Sequence, residues 1–238
     1  MIHTSHIKAD ANTICRFSSS RLDLNILGGS RMHNQRLLEL FSGTKSVSTA
    51  VENMFSQVVS VDILNKYNPT HCIDINVWDY KQYPPNYFSH IWGSPPCTEY
   101  SLLKQNTGMN TNIDAADRNV LKLFEIIDYF KPQKWFIENP QTGMLKDRAF
   151  MEGLPFYDVD YCRYTDWGYK KRTRIWTNVD YQNTLCLGEG KCGNMIGRFH
   201  KVSFGGQGRP KEHVYKSCPA GDTAYRVPAK LIQELFVL

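Results

Sequence analysis

Cys97 is the residue whose type and setting most favour covalent chemistry. It follows Pro95 and Pro96, which fix φ at two successive positions and disfavour helix before each proline. The thiol is therefore expected on a stiff turn after a buried strand. Only the thiolate is a good nucleophile, so a nearby cation or a helix N-terminus would have to lower the thiol pKa. A buried structural cysteine is the alternative interpretation.

Glu138 is the natural partner for this thiol. It follows the apolar run Trp135 to Ile137, and Pro140 favours extended backbone at Asn139. A thiolate can add to C6 of a pyrimidine while a carboxyl group hydrogen-bonds or protonates N3, which makes C5 nucleophilic. A desolvated pocket favours the protonated carboxyl that this reaction needs. A salt-bridged surface glutamate is the alternative.

A second group of residues suits a ligand that contains adenosine. Gly43 follows the first apolar run, and Asp62 and Asp74 follow the next two. The segment after Gly43 lacks the further glycines that let a pyrophosphate approach the backbone, which weakens the NAD interpretation. A carboxylate at a strand end can accept both hydroxyls of a ribose, so Asp62 suits the ribose and Asp74 the adenine amino group. Taken singly, each aspartate fits a helix cap or a surface group better, and only the two together and in this order favour the adenosine interpretation.

Residues 168–177 alternate cationic and other side chains, which predicts a strand with Arg172 and Arg174 on one face. One guanidinium could hold the base carbonyl O2 while the other meets a phosphate. A basic edge strand without a ligand is the alternative.

The elements that must position these residues alternate along the chain. Apolar runs predict strands and helical spacing predicts helices between them, which together indicate a mostly parallel sheet with helices on both faces. The strands are expected at residues 37–41, 58–61, 72–73, 90–92 and 135–137, and the helices at residues 46–55 and 115–131. Chemistry in such sheets gathers at the carboxyl ends of the strands, where the residues above all fall.

Composition limits the class of protein. The 238 residues suit one α/β domain, and a hydrophobic fraction of 42% argues against disorder. The longest apolar runs are too short for a membrane span, and no signal-peptide pattern begins the chain. We therefore expect a soluble intracellular monomer, in the cytoplasm of a prokaryotic host or the nucleus or viral factory of a eukaryotic one. A net charge of +5 permits a polyanionic partner, and seven cysteines argue against a disulfide framework.

The order of these motifs resembles the cytosine-C5 DNA methyltransferase family, in a compact phage or viral form. The resemblance covers about residues 36–178. It rests on Leu40-Phe41-Ser42-Gly43, Val61-Asp62, Ile73-Asp74-Ile75, Ser94-Pro95-Pro96-Cys97, Ile137-Glu138-Asn139 and Lys170-Lys171-Arg172-Thr173-Arg174.

The resemblance implies a Rossmann-like class I fold that uses S-adenosylmethionine, with a small irregular C-terminal insert. It implies Cys97 as the C6 nucleophile, Glu138 as the N3 partner and Arg174 as the O2 contact, with Arg172 beside it. The cofactor contacts would be Phe41, Ser42, Gly43, Thr44, Asp62, Ile63, Asp74, Ile75 and Pro95. The nucleic-acid contacts would be Ser101, Lys104, Lys170, Lys171, Arg209 and Lys211.

The same resemblance suggests how the chain divides. Residues 1–34 would be a poorly ordered lead-in, residues 35–178 the catalytic methyltransferase domain, and residues 179–222 a small recognition insert. Residues 223–238 would form a C-terminal helix that packs back on the catalytic domain. The polar residues 98–116 are expected to form a mobile loop that closes over an extruded base.

Three departures from the family pattern stand out. Thr44-Lys45-Ser46 replaces the glycine-rich continuation of the first motif, and Lys170 stands where the family has Gln. The family's long target-recognition region is missing. The insert would take its place, with Arg209 and Lys211 on a basic loop that contacts phosphate.

The insert also carries residues that bind metals. Cys186, Cys192, His200 and Cys218 could hold zinc tetrahedrally, although no closely spaced cysteine pair is present. Unrelated surface thiols and histidines are the alternative.

The predicted function is methylation of cytosine C5 in DNA through a covalent Cys97–C6 adduct. A tRNA cytosine-C5 methyltransferase on the same scaffold is one rival, and methyl transfer to RNA but not to DNA would identify it. A catalytically silent relative that only binds nucleic acid is the other, and the presence of both Cys97 and Glu138 argues against it.

Overall fold

The computed structural model describes residues 35–107, 110–188, 192–203, 216–217 and 221–238. The predicted lead-in, residues 1–34, lies outside these ranges, as do Arg209, Lys211 and Cys218.

A seven-stranded sheet forms the centre of the molecule, in the order β3-β2-β1-β4-β5-β7-β6. The pairs among β1 to β5 are all parallel, and β7 runs antiparallel to both β5 and β6. The predicted mostly parallel sheet is confirmed. The strands are β1 (Arg36–Leu40), β2 (Gln57–Asp62), β3 (His71–Cys72), β4 (His90–Gly93), β5 (Lys134–Pro140), β6 (Phe156–Asp160) and β7 (Arg172–Thr177).

Helices cover both faces of this sheet, which explains why β1 and β4 read as continuous apolar runs. Successive strand residues point to opposite faces, so Leu38 and Leu40 pack in one hydrophobic cluster and Leu37 in another. The first cluster is covered by α3 (Ile113–Phe130), and the second by α1 (Ser46–Val51) and α4 (Ala229–Val237).

Local sequence sets the ends of the long helix α3. The Asn112 side chain accepts a hydrogen bond from the Ala115 backbone N–H, which caps the first turn. Lys131 ends the helix in a left-handed conformation with φ 46°, and its N–H donates to the Ile127 carbonyl. The spacing predicted a helix over 115–131, and the structure begins it two residues earlier.

Two predicted elements differ from the observed ones. The helix expected over residues 46–55 ends at Val51, and a 3₁₀ turn, Glu52–Met54, replaces its last part. The loop expected over residues 98–116 contains a short helix, α2 (Leu102–Asn106), and the first turn of α3. Polar composition suggested a loop there, but capping at Asn112 extends the helix into it.

The insert after β7 consists of short pieces tied to the sheet edge. It contains β8 (Met195–Ile196), β9 (Phe199–His200), β10 (Val202–Ser203) and β11 (Lys216–Ser217). Thr184 forms a parallel bridge to Val159 of β6, so the start of the insert extends the central sheet.

The C-terminal segment returns to the first helix. The Val227 N–H donates to Ser46 Oγ at 3.1 Å, and α4 buries Leu231, Ile232 and Leu235 against the second cluster. None of the helices in the described ranges has the length and apolar character needed to cross a membrane.

Candidate active site

A cavity of about 440 Å³ opens at the carboxyl ends of β1, β2, β4 and β5. Cys97, Glu138 and Lys171 line one part of it. The rest is lined by residues that the sequence assigned to a cofactor: Phe41, Ser42, Gly43, Thr44, Asp62, Ile63, Asp74, Ile75 and Pro95. The fold therefore brings the predicted nucleophile and the predicted cofactor residues into one continuous space.

A hydrogen bond joins the glycine turn after β1 to the end of β2. Asp62 Oδ2 accepts the Gly43 N–H at 2.7 Å, and Oδ1 accepts the Leu64 N–H at 2.8 Å. Phe41, Gly43 and Lys45 all have positive φ, of 56°, 44° and 57°. Lys45 belongs to the segment that departs from the family pattern, and it adopts the left-handed conformation although it is not a glycine. The tight turn therefore forms without further glycines.

The polar and apolar groups here fit an adenosine-containing ligand. Asp74 Oδ1 accepts both the backbone and the side-chain N–H of Asn76 at 2.9 Å, which fixes the carboxylate at the cavity wall. Ile63 is 64% exposed beside Asp62 and offers an apolar surface to a flat ring. Ser42 Oγ is buried, finds no hydrogen-bond partner among the described residues, and belongs to a residue that lines the cavity. A bound ligand would satisfy such a hydroxyl.

The loop that carries Cys97 is tied directly to β5. Asn139, which is 1% exposed, donates from its side-chain amide to the Pro95 carbonyl at 2.8 Å. This bond joins the Pro-Pro-Cys turn to the residue next to Glu138. The two predicted catalytic residues are thus linked by the side chain of Asn139, which the sequence analysis named in a motif without giving it a role.

Glu138 is 5% exposed and lies beside Tyr161 and Lys171. The Tyr161 hydroxyl donates to Glu138 Oε1 at 2.9 Å, and Lys171 Nζ lies 3.9 Å from the same oxygen. Burial and the charge of Glu138 raise the pKa of Tyr161 well above its usual value, so the phenol remains a donor. Lys171 also donates to the Ala224 carbonyl and lies 5.0 Å from the centre of the Tyr161 ring.

The Cys97 thiol experiences opposing electrostatic effects. Burial raises its pKa, the negative charge of Glu138 raises it further, and the positive charge of Lys171 lowers it. The net direction is upward. A neutral Glu138 would remove one of the two contributions that oppose the thiolate, so protonating the carboxyl favours ionising the thiol.

The structure places Arg172 and Arg174 in ion pairs with acidic residues of β6. Arg172 donates two hydrogen bonds to Asp160, at 3.0 and 2.9 Å, and Arg174 donates two to Asp158, at 2.8 and 2.9 Å. Neither arginine lines the cavity. Since Ile175 pairs with Glu138 across the β5–β7 ladder, the odd-numbered positions of β7 share the face of Glu138 and the arginines occupy the other face. Lys171, expected to contact nucleic acid, is the cation beside Cys97.

The other predicted nucleic-acid contacts are spread over two regions. Lys104 Nζ lies 2.5 Å from Glu99 Oε1, and Ser101 stands in the same loop after Cys97. Lys170 Nζ lies 3.5 Å from Asp160 Oδ2, beside Arg172. Arg209 and Lys211 lie outside the described residues.

The C-terminal segment forms one side of the cavity. The sequence analysis did not predict this contribution. Lys66 and Tyr67, on the turn after β2, both donate to the carboxylate of Asp222. Asp222, Tyr225 and Val227 line the cavity together with the cofactor residues. The contact spans more than 150 residues of sequence and carries no local signal.

Three of the four predicted metal ligands lie together in the structure. Cys186, Cys192 and His200 form a cluster with Cys162, a residue the sequence analysis did not select. Cys218 lies outside the described residues. Cys162 follows β6, so its approach to the insert depends on the antiparallel return through β7 and has no spacing signal.

The sheet order and the cavity at its carboxyl edge define a Rossmann-like class I methyltransferase fold, as the sequence predicted. A probable DNA (cytosine-5)-methyltransferase of Frog virus 3 (isolate Goorha) is 37% identical over 228 residues, spanning 85% of this chain and 99% of the relative. The chain therefore belongs to the DNA (cytosine-5)-methyltransferase family. No family model matches it.

Solved structures with lower similarity also match. The methyltransferase EhMeth of Entamoeba histolytica is 17% identical with a TM-score of 0.47, over 64% of this chain and 56% of that one. A DNMT2 mutant of Spodoptera frugiperda is 17% identical with a TM-score of 0.43, over 65% of this chain and 56% of that one. The chain thus spans just over half the length of these two structures.

Proposed function

We propose that the protein transfers a methyl group to C5 of a cytosine extruded from DNA, through a covalent bond between Cys97 and C6. The observation that carries the proposal is the shared cavity: Cys97 and Glu138 line the same space as Asp62 and Asp74. A thiol and a carboxyl group that face one flat base beside an adenosine-type site suit this reaction and few others.

S-adenosylmethionine fits the cofactor part of the cavity. Asp62 would hold the ribose, Asp74 the adenine amino group, and Phe41, Ile63 and Ile75 the apolar ring faces. The unpartnered Ser42 hydroxyl would gain a partner. When bound, S-adenosylmethionine supplies the electrophilic methyl group.

Cys97 and Glu138 act on opposite edges of the base. The Cys97 thiolate bonds to C6, the electron pair of the C5–C6 double bond moves toward C5, and Glu138 donates a proton to N3. After C5 has gained the methyl group it loses its proton to water, the C6–sulfur bond breaks, and the double bond reforms. The N3 proton returns to Glu138, so the enzyme ends in its starting state.

Lys171 takes the role that the sequence assigned to Arg174. Its ammonium group lies in the cavity wall, 3.9 Å from Glu138 Oε1 and 10% exposed. A cation there favours the Cys97 thiolate and can hold the O2 carbonyl of the base. The Ala224 carbonyl positions the ammonium group, which links the C-terminal segment to the site.

The division of the chain supports a reduced recognition surface. We assign residues 35–178 to catalysis and residues 179–222 to target recognition, with Arg209 and Lys211 on phosphate. The relative's name gives DNA as its substrate, and a net charge of +5 suits a polyanion. The cysteines and histidine of the insert stand outside the cavity, so a metal there would serve the fold and not methyl transfer.

Transfer of radiolabelled methyl groups tests the function directly. The full chain should label cytosine-containing DNA and leave tRNA unlabelled. Cys97→Ser should abolish labelling and retain S-adenosylmethionine binding by calorimetry, because the alcohol is a much weaker nucleophile. Cys72→Ser, which changes an exposed thiol outside the cavity, should label normally. Full activity of Cys97→Ser would refute the mechanism, and labelling of tRNA alone would refute the substrate.

A further inference from the structure

Four metal-binding side chains from separate parts of the chain meet beside the catalytic sheet. Cys162 comes from the 3₁₀ turn Tyr161–Arg163 after β6, Cys186 and Cys192 from the insert, and His200 from the end of β9. Their three sulfur atoms and one ring nitrogen all lie within 4.8 Å of one another. Among the described residues, no disulfide joins these cysteines.

Two sulfur–nitrogen distances in this cluster match the spacing of ligands in a tetrahedral zinc site. Cys186 Sγ lies 3.6 Å from His200 Nε2, and Cys192 Sγ lies 3.5 Å from it. Zinc bonds of about 2.3 Å to sulfur and about 2.0–2.1 Å to nitrogen, set at tetrahedral angles, place those atoms about 3.5 Å apart. Three cysteines and one histidine are a ligand set of structural zinc sites, and thiolates favour zinc over calcium or magnesium.

A set of hydrogen bonds holds the ligands in place without the metal. The Asn194 side chain, 2% exposed, donates to the carbonyls of Cys162 and Cys192, at 2.9 and 3.2 Å. Its Oδ1 accepts the Gly168 N–H at 3.1 Å. The Cys186 N–H donates to Asp160 at 2.7 Å. Such outer contacts orient metal ligands, and their presence indicates that the fold holds these thiols close together.

Charges nearby suit the bound complex. Three thiolates and one zinc ion leave one net negative charge, and three thiol protons are released to solvent as the metal binds. Lys170 and Arg172 both contact Asp160, which accepts the Cys186 N–H. Lys170, Arg172 and Asp160 together carry one net positive charge, which balances the one negative charge of the zinc complex.

We infer that Cys162, Cys186, Cys192 and His200 bind one structural zinc ion that fastens the insert to the catalytic sheet. Cys162 replaces Cys218 in the ligand set that the spacing suggested. The ion joins the end of β6 to the insert, next to the segment that leads through Lys171 into β7. Zinc would therefore stabilise both the recognition insert and the placement of Lys171.

Elemental analysis of the purified full chain tests this inference. We expect about one zinc ion per chain after gel filtration without chelator. Cys218→Ser and Cys72→Ser should keep this zinc, and Cys162→Ser should lose it. Cobalt(II) in place of zinc should give the intense absorption of a tetrahedral thiolate site.

Two further measurements keep the test valid if Cys162→Ser fails to fold. His200→Cys retains four ligands and should keep zinc, and all seven cysteines of the denatured wild-type protein should react as free thiols. A zinc-free wild-type protein, or thiols lost to a disulfide, would overturn the inference. Zinc retained by Cys162→Ser but lost from Cys218→Ser would overturn the ligand assignment. None of these measurements depends on methyl transfer.

Discussion

Two cavity residues of opposite charge, Glu138 and Lys171, act on the Cys97 thiol in opposite directions. Glu138 raises the pKa of Cys97 in addition to burial, and Lys171 lowers it. The raised pKa favours the thiol form, and loss of the negative charge at residue 138 would remove one of the contributions that raise it. This arrangement couples the proton on Glu138 to the nucleophilicity of Cys97.

The rate of alkylation of Cys97 by iodoacetamide should report this coupling. Glu138→Gln removes the negative charge and should shift the pH profile of alkylation to lower pH. Lys171→Gln removes the positive charge and should shift the profile to higher pH. Mass spectrometry of the Cys97 peptide measures the rate separately from the other thiols.

Lys170→Gln is the matched control for this pair, since Lys170 contacts Asp160 and does not line the cavity. Its alkylation profile should coincide with that of the wild type. Shifts of the same sign in Glu138→Gln and Lys171→Gln would contradict the electrostatic account.

At this scale the sequence was informative where a residue's neighbours along the chain restrict it. Pro95 and Pro96 mark Cys97, and a strand end marks Asp62 and Asp74. Tyr161 and Cys162 were missed, and Asn139 was given no role, because each acts through a partner distant in sequence. The Asn139–Pro95 bond, for example, joins residues 44 apart.

The strand β7 carries two predicted site residues, Arg172 and Arg174, that lie outside the cavity in the structure. Alternation correctly put Arg172 and Arg174 on one face, but it cannot say whether that is the face of the sheet that carries Glu138. The antiparallel register pairs Arg174 with Asn139 and Asp158, which turns both arginines toward the acidic side chains of β6. In the structure Arg174 pairs with Asp158 and lies outside the cavity, and its contact with the base stays a prediction.

Removing the Arg174–Asp158 pair should reduce stability more than catalysis. The side chains are 14% and 18% exposed, so each single change, Arg174→Met or Asp158→Asn, leaves a partly buried group without its partner. We expect each to lower the free energy of unfolding by about 1–3 kcal/mol, with a double variant less destabilised than the sum. Urea denaturation and kcat per folded enzyme measure the two effects.

The contrary outcome is equally clear. If Arg174 contacts the base, Arg174→Met should lose most of kcat/KM with little loss of stability, while Asp158→Asn should remain active. That pattern would restore the original assignment and reject the observed register.

Helices and strands with strong periodicity were predicted within a few residues, since burial of one face fixes them. The helix α3 and the strands β1, β2, β4 and β5 belong to this group. The segment after Cys97 was misjudged because polar composition does not exclude a short capped helix. The short strand β3, expected at residues 72–73, is found one residue earlier, at His71–Cys72.

At the scale of the whole molecule, the C-terminal segment completes both the core and the cavity. The helix α4 fills the second hydrophobic cluster, and the residues before it reach Lys66, Lys171 and Ser46. The sequence indicated a final helix that packs on the catalytic domain. The contacts of this C-terminal segment join residues far apart in the sequence, so only the fold reveals them.

His90 links this packing to pH. It is buried between Phe55 and Phe236, and burial, with the charge of Lys134, lowers its pKa to about 3. The unfolded chain binds a proton at His90 near pH 6.5 while the folded chain does not, so folding stability falls as the pH drops below 6.5. This group contributes a loss of about 1.4 kcal/mol per pH unit until the folded pKa is reached.

Comparison with His90→Gln isolates the contribution of this one group, because every other titrating residue is shared. Urea denaturation between about pH 6 and pH 5 should show a shallower decline for the variant than for the wild type. If the free energy of unfolding fell equally with pH in both proteins, His90 would be gaining its proton in the folded state. The C-terminal helix would then not exclude water from it.

Covalent trapping on an oligonucleotide that contains 5-fluorocytosine tests the central claim most directly. The fluorine cannot leave as the C5 proton does, so a Cys97–C6 adduct should persist once S-adenosylmethionine has supplied its methyl group. We expect a denaturation-resistant complex, mapped to the Cys97 peptide by mass spectrometry, which Cys97→Ser does not form. Absence of an adduct with the wild-type protein under conditions where it methylates ordinary cytosine, or an adduct on another residue, would contradict the account.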